Sequence, residues 1–219
     1  MYGDDPENVF CYLMVYNEPY AQPKEPDDVD IEGILKGIHR FSPAPEGDGP
    51  KAQILASGIA MQWALEAQRL LHSDWNVHAD VWSVTSWNEL RRDGLEADKH
   101  NFMNPDGDQR VPYVTRKLDG APGPFVAVSD FMRAVQDQIL PWVPGDFSSL
   151  GTDGWGLSDT RGALRRHFQV DAASIVVKTL GALAKRGEVK PEVVAEAFAK
   201  YRIDDPTAVS DVKQEGGDA

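Results

Sequence analysis

A glycine-rich segment, GTDGWG at residues 151–156, is the first place where this sequence could hold a ligand. It follows a predicted short strand and precedes a predicted helix, and in parallel α/β sheets ligands bind beyond the carboxyl ends of the strands. The segment is not a phosphate-binding P-loop, because no Lys-Ser or Lys-Thr pair follows its glycines. A tight strand-to-helix connection with glycines at positive φ explains the same residues, and we favour that interpretation.

Residue types that bind metals or act as nucleophiles are present but are not spaced for those roles. The histidines show none of the short spacings of a zinc site, and Cys11 is the single cysteine, so we expect no metal site. No Gly-x-Ser-x-Gly motif marks a hydrolase nucleophile, and sequence spacing assigns no acid–base pair among the carboxylates. Each histidine is predicted to lie at the surface or at an interface. They are His39, His72, His78, His100 and His167.

Arginines and tryptophans are the candidate contact residues. The pairs at residues 91–92 and 165–166 could bind an anion or an acidic partner, although solvated helix faces explain such pairs more often. Aromatic side chains in loops are frequent at protein interfaces, which favours an oligomer or a contact between domains. Trp82 and Trp87 flank the end of a predicted strand, and Trp142 and Trp155 lie in connections.

The charge balance argues against two classes of partner. A formal net charge of −13 disfavours a nucleic-acid backbone, which needs clustered Lys and Arg, and disfavours an anionic membrane surface. No apolar run reaches the ~18–20 residues of a membrane span. The acidic first ten residues lack the layout of a secretory signal, and a single cysteine suits a reducing compartment. We therefore expect a cytoplasmic protein without nucleic-acid or membrane partners.

The fold class is predicted from residues 52–90, where an apolar run, an amphipathic helix and a second β-rich run follow one another. This order pairs the two strands in parallel with a right-handed crossover. Further strands are predicted at residues 124–128 and 146–150, with a short strand candidate at residues 37–42. The sequence therefore predicts an α/β fold, a three-layer, mostly parallel sheet with helices on both faces.

Helix boundaries are predicted from capping residues. Ser129 should cap a helix over residues 130–140, Ser158 or Asp159 a short helix through residue 167, and Asp171 a longer helix that Gly187 ends. The remaining helices are predicted over residues 29–36, 87–99 and 111–118, with a last helix that begins near residue 191.

Residues 9–16, VFCYLMVY, form a continuously apolar run typical of a strand buried on both faces. A Pro- and acid-rich stretch follows at once, so the neighbours that such a strand needs are not nearby in sequence. We therefore expect residues 1–20 to be the remnant of an upstream domain, residues 21–50 a linker with a short helix and strand, residues 51–203 the α/β domain, and residues 204–219 a flexible tail. An edge strand of the same sheet is the alternative for the first segment.

Four longer strings resemble one family: DVWSVTSWNELRRDG, RVPYV, LGTDGWGLSDTRGALRRHFQVDA and LAKRGEV. They look like the C-terminal region of the homodimeric, thiamine diphosphate-dependent bacterial pyruvate dehydrogenases. The string NVFCYLMVYNEPY resembles the end of that family's middle, pyrimidine-binding domain. The resemblance implies a transketolase-type C-terminal domain over residues 51–203 and assigns residues 1–20 to the upstream pyrimidine-binding domain.

The resemblance also implies where a substrate pocket lies. Asn17, Glu18 and Tyr20 match an Asn-Glu-x-Tyr motif near the substrate, but Ala21 stands where relatives often carry a histidine. Thiamine diphosphate and Mg²⁺ would be bound by domains that this sequence lacks. The GDGP at residues 47–50 only imitates the cofactor motif, because no helix and no suitably spaced Asn follow it. No catalytic, cofactor-binding or metal-binding residue is therefore expected in this chain.

The implied activity is oxidative decarboxylation of pyruvate with transfer of the acetyl group to lipoamide, in the bacterial cytoplasm. This part of the enzyme would be structural and inactive alone. Its partners would be the upstream domains of its own chain, a second copy in a homodimer, and the dihydrolipoamide acyltransferase core. Two alternatives are a free-standing ligand-binding or regulatory module with its pocket at residues 151–156, and the same domain of another thiamine diphosphate enzyme such as a transketolase.

Overall fold

The computed structural model describes residues 15, 19–24, 26–205 and 207–208. By its contacts the chain divides into two units, Glu25–Ser210 and a second that comprises Met1–Lys24 and Asp211–Ala219. Every helix and strand described here belongs to the first unit. Among these helices none combines the length and the apolar character that crossing a bilayer requires. The predicted strand at residues 9–16 and most of the predicted tail lie outside the described residues.

Five strands form one sheet in the order β1-β3-β2-β4-β5. The four strands β2 to β5 pair in parallel, and β1 runs antiparallel to β3 at one edge, with an irregular register between Arg40 and Ser42. The predicted mostly parallel sheet is thus confirmed. Their bounds are β1 His39–Ser42, β2 Lys51–Ala56, β3 His78–Ser83, β4 Phe125–Val128 and β5 Phe147–Leu150.

Helices cover both faces of the sheet. On one face α2 packs on β2 and β3, α7 packs on β4 and on α2, and α8 packs on α7. On the other face α3 and α4 pack on each other and supply side chains to a shared apolar core. The helices are α1 Ile31–Lys36, α2 Ala60–Trp75, α3 Trp87–Met103, α4 Tyr113–Leu118, α5 Arg133–Asp137, α6 Arg161–His167, α7 Ala172–Lys185 and α8 Pro191–Lys200, with a 3₁₀ turn at Leu140–Trp142.

Successive side chains of the strands point to opposite faces of the sheet, so apolar strand residues contribute to the core on both faces. In the α3–α4 layer, Leu55 of β2 and Phe125 of β4 are buried with Leu90 and Leu118 from the helices. Both faces of the central strands are buried, since all four residues of β4 are inaccessible to solvent. Because parallel strands covered on both faces need continuous apolar runs, the sequence identified these strands by composition alone.

Two predicted helix starts are wrong. The helix expected from residue 130 begins at Arg133, and Ser129 does not cap it, because its hydroxyl accepts hydrogen bonds within the site described below. Thr160, and neither Ser158 nor Asp159, caps α6, accepting from the backbone N–H of Ala163 at 3.3 Å. By contrast, Asp171 caps α7 as predicted, through a 2.8 Å bond from the N–H of Ser174.

Candidate ligand site at the carboxyl edge of the sheet

The carboxyl ends of β2, β4 and β5 lie at one edge, where α/β sheets usually bind ligands. The segments that leave these strands begin with Ser57, Ser129 and Gly151. Both serines are buried. The sequence-predicted turn at residues 151–156 therefore does lie at the edge where the fold could form a pocket.

Hydrogen bonds inside the chain occupy the buried serine hydroxyls at this edge. The Ser129 hydroxyl accepts from Gln136 Nε2 at 2.5 Å and from the backbone N–H of Phe131 at 3.0 Å. Gln136 Nε2 also donates to the Leu150 carbonyl at 3.1 Å, and the Ser57 hydroxyl accepts from Trp87 Nε1 at 3.0 Å. Because these bonds connect β2, β4 and β5 to α3 and α5, the serines hold the edge closed and do not present hydroxyls to a ligand.

The glycine-rich turn is stabilised by its own contacts. Asp153 accepts from the backbone N–H of Arg133 at 2.9 Å and from its guanidinium Nε at 2.5 Å, and Thr152 Oγ1 donates to the Asp130 carbonyl at 2.7 Å. A Cβ on Gly151 would lie 2.5 Å from the Phe131 carbonyl oxygen, and Gly154 has φ of +107°. The tight connection is therefore the better explanation of these glycines.

A depression of about 470 Å³ lies beside this turn, but two of its charged side chains, Arg133 and Asp153, pair with each other. The hydrogen bonds from Arg133 lower the pKa of Asp153, so that the two side chains form an ion pair at neutral pH. An incoming anion would have to displace Asp153 from Arg133. The depression is lined by Met132, Arg133, Ala134, Asp137, Thr152, Asp153 and Gly154.

The histidine prediction is wrong for two of the five residues. His39 and His78 are buried, whereas His72, His100 and His167 are exposed. His78 Nδ1 lies 3.3 Å from His72 Nδ1, and His78 Nε2 lies 3.3 Å from Asn76 Oδ1. Burial lowers the pKa of His78, so its imidazole is neutral at neutral pH. Within the described part of the chain, no three or more His, Cys, Asp or Glu side chains converge as metal ligands.

Arg166 was missed as a structural residue. Its side chain is 3% exposed and its Nε donates to Asp171 Oδ2 at 2.6 Å, while NH1 donates to the carbonyls of Tyr201 and Arg202. The solvated-face interpretation fails for this residue. It holds for Arg92, which pairs with Glu89 at the surface. The one sequence signal that could have identified Arg166 is the helix cap Asp171 five residues later, since a buried carboxylate needs a cation.

Two tryptophans expected near an interface are in the core. Trp82 and Trp87 are buried, and their indole N–H groups donate to Gln53 Oε1 at 2.7 Å and to the Ser57 hydroxyl. Trp155 is the opposite case, with its side chain 93% exposed in the glycine-rich turn. Position in the fold distinguishes the buried tryptophans from the exposed one. Trp82 lies in β3 and Trp87 begins α3, whereas Trp155 lies in a turn.

The residues implied for a substrate pocket are only partly described. Asn17 and Glu18 lie outside the described residues, and Tyr20 is half-buried in its own unit. Their assignment stays a prediction. The GDGP loop does not fit a magnesium–diphosphate site, because Gly47 and Gly49 pack against the His78 ring and Gly49 also meets the Asn76 carbonyl, which leaves no cradle for a phosphate.

A sequence model described as the transketolase-like TK C-terminal domain matches residues 37–171, more than half of the chain. The chain belongs to this family. The match spans β1 to β5 and ends at the α7 cap, Asp171. The fold class and the transketolase-type domain that the sequence predicted are therefore both confirmed.

Two relatives are similar to this chain over nearly its whole length. The pyruvate dehydrogenase E1 component of Mycolicibacterium smegmatis is 57% identical over 95% of this chain, and that of Mycobacterium tuberculosis is 54% identical over 99%. The chain spans only 22% and 23% of the length of these relatives. A solved transketolase from Leishmania mexicana aligns over 73% of this chain and 20% of its own, with 19% identity and a TM-score of 0.47.

Proposed function

We propose that this chain is the C-terminal portion of a pyruvate dehydrogenase component that oxidatively decarboxylates pyruvate and transfers the acetyl group to lipoamide. The observation that carries the proposal is identity above 50% to two proteins of that name across nearly the whole chain. This similarity favours a pyruvate dehydrogenase over the other thiamine diphosphate enzymes. A free-standing ligand module is disfavoured by the paired charges and internal hydrogen bonds at residues 151–156.

The role of this portion is to support the enzyme and its homodimer rather than to perform chemistry. The buried ion pair of Arg166 and Asp171 connects helices and is not available to a substrate. The glycines of the GDGP loop pack against other parts of the chain, which leaves no room for a diphosphate. Thiamine diphosphate and Mg²⁺ would be bound by the rest of the enzyme, and we propose Asn17, Glu18 and Tyr20 as residues of its substrate pocket. The domain bounds follow the same proposal, with residues 1–20 in the pyrimidine-binding domain and residues 51–203 in the supporting domain. The acyltransferase core is the further partner, in a bacterial cytoplasm.

A chimeric enzyme tests this proposal. The corresponding portion of the Mycolicibacterium smegmatis enzyme is replaced by this chain, and dimerisation and pyruvate-dependent acetyl transfer are measured. We expect a dimer with kcat within about tenfold of the parent, because core-preserving substitutions are tolerated when volume and patterning are kept. The parent truncated before this portion is the control and should lose the dimer and the activity.

Two outcomes would overturn the proposal. The first is a folded, dimeric chimera that does not turn over pyruvate although the parent does. The second is saturable binding of thiamine diphosphate with Mg²⁺ to the 219-residue chain alone, measured by calorimetry.

A further inference from the structure

A groove of about 530 Å³ runs between the outer edge of β5 and the helices α7 and α8. Helix α7 packs on β4, and α8 packs on α7. The outer edge of β5 has no neighbouring strand among the described residues. The volume falls within the ~300–1,000 Å³ typical of small-molecule sites. Phe147, Leu150, Val177, Phe198 and Ile203 supply the apolar part of its lining.

Cations line the same groove. Lys178 and Lys185 both come from α7, and neither forms an ion pair with any described residue. Arg186 is different, because Asp146 at 2.9 Å and Glu188 at 2.5 Å already neutralise it. The chain as a whole has a formal net charge of −13. Two lysines without carboxylate partners therefore make this apolar groove positively charged in an otherwise acidic protein.

Hydroxyl groups in the lining also lack partners. Ser174 is 4% exposed, and the hydroxyl groups of Ser148 and Ser174 are buried without a hydrogen-bond partner in the described part of the chain. Buried hydroxyls are normally hydrogen-bonded, and leaving one unsatisfied is unfavourable. Because a hydroxyl can rotate to donate, these two groups are suited to an acceptor atom brought by a ligand.

We propose that this groove binds a small organic anion with an apolar body, a carboxylate or sulfonate whose charged end lies between Lys178 and Lys185. The apolar body packs on Phe147 and Phe198, and the serine hydroxyls donate to its oxygens. The environment of Lys178 agrees with this, because burial and the nearby Lys185 and Arg133 lower its pKa against the opposing effect of Asp137. An anion would relieve the repulsion between the lysines. The site is separate from the carboxyl edge and does not depend on which enzyme contains the chain.

The test uses the full chain and the probe 8-anilinonaphthalene-1-sulfonate, an aromatic sulfonate whose fluorescence rises in apolar sites. We expect saturable binding that Lys178→Gln with Lys185→Gln weakens at least about tenfold, since each ~1.4 kcal/mol lost is tenfold in affinity. The matched control is Lys36→Gln with Lys99→Gln, two exposed lysines on α1 and α3 whose loss changes the net charge equally. Ser174→Ala should also weaken binding without lowering the melting temperature, because the hydroxyl that it removes has no hydrogen-bond partner in the described part of the chain.

Competition then identifies the ligand chemistry. Octanoate should displace the probe, and octanol at the same concentration should displace it much less, because only the carboxylate engages the lysines. Equal affinities of the two double variants would overturn the proposal, as would displacement by octanol as effective as that by octanoate. Loss of probe binding as protein concentration rises, with dimers seen by sedimentation, would also overturn it in favour of self-association through the groove.

Discussion

Arg166 and Asp171 form the most enclosed ion pair in the described part of the chain, with side-chain exposures of 3% and 7%. Asp171 caps α7 through Oδ1 and binds Arg166 through Oδ2, so one carboxylate serves two helices. Arg166 in turn holds the carbonyls that end α8. The pair therefore joins α6, α7 and α8. Protein hydrogen-bond partners take the place of water around both charges.

Removing one partner of this pair should destabilise the protein strongly. Arg166→Met keeps most of the side-chain volume but leaves Asp171 buried without a cation, which costs about 3–5 kcal/mol in buried pairs. Urea unfolding of the variant measures the loss. Arg92→Met is the control, since its partner Glu89 is at the surface and exposed pairs contribute about 0–1 kcal/mol. Similar losses in the two variants would contradict the structural role of Arg166.

His78 should make stability depend on pH. Burial, Lys51 and His72 lower its pKa below the ordinary 6.5, and a hydrogen bond with the Pro45 backbone and the charge of Asp48 only partly oppose them. The unfolded chain then binds this proton more readily than the folded chain, so the contribution is complete above about pH 6.5 and is lost as pH falls below it. Urea unfolding between about pH 5.5 and 7.5 should show a flatter dependence for His78→Gln than for the parent. A dependence on pH that is as steep for His78→Gln as for the parent would refute the assignment.

At the scale of elements, Gly94 determines how α3 meets the 3₁₀ turn. A Cβ at this position would lie 2.5–2.6 Å from ring carbons of Trp142, whose indole N–H donates to Asp98 at 3.1 Å. Helix propensity favours Ala over Gly by about 1 kcal/mol, so the two effects have opposite signs. Because the indole is fixed by its hydrogen bond, the clash should decide the outcome.

We expect Gly94→Ala to destabilise the protein by about 1–3 kcal/mol, the usual cost of overpacking. Gly181→Ala in α7 is the matched control, because nothing lies within 4 Å of its Cβ position. That variant should be stabilised by about 0.5–1 kcal/mol through helix propensity. Thermal unfolding of both variants gives the comparison, and a stabilised Gly94→Ala would show that Trp142 moves aside freely.

The elements that the sequence predicted correctly are those whose signals are local. Apolar runs identified β2 and β4, and Asp171 identified the start of α7. Ser129 failed as a cap because its hydroxyl binds Gln136, a contact that only the packed sheet creates. Thr160 was missed because three potential caps follow one another and local sequence does not rank them. The groove beside β5 was not predictable, since its lysines and phenylalanines come from elements that meet only in the fold.

At the scale of the whole molecule, several large apolar side chains face solvent at the carboxyl edge. Phe131, Met132, Trp155 and Leu157 are exposed there, close to the paired charges of Arg133 and Asp153. Exposed aromatic residues rimmed by polar groups are typical of contact surfaces. Because we propose that this chain belongs to a larger enzyme, we predict that another part of that enzyme covers this edge.

Trp155 tests this interpretation because its side chain is almost entirely exposed to solvent. In the isolated chain Trp155→Ser should change the free energy of unfolding by less than about 0.5 kcal/mol, as for surface positions in general. In the chimeric enzyme the same change should weaken the dimer or its activity, since buried tryptophans at interfaces contribute about 2 kcal/mol or more. Trp87→Ser serves as the reference for a core position and should destabilise both proteins. A chimera that tolerates Trp155→Ser without loss of dimer or activity would show that this edge remains in contact with water in the assembled enzyme.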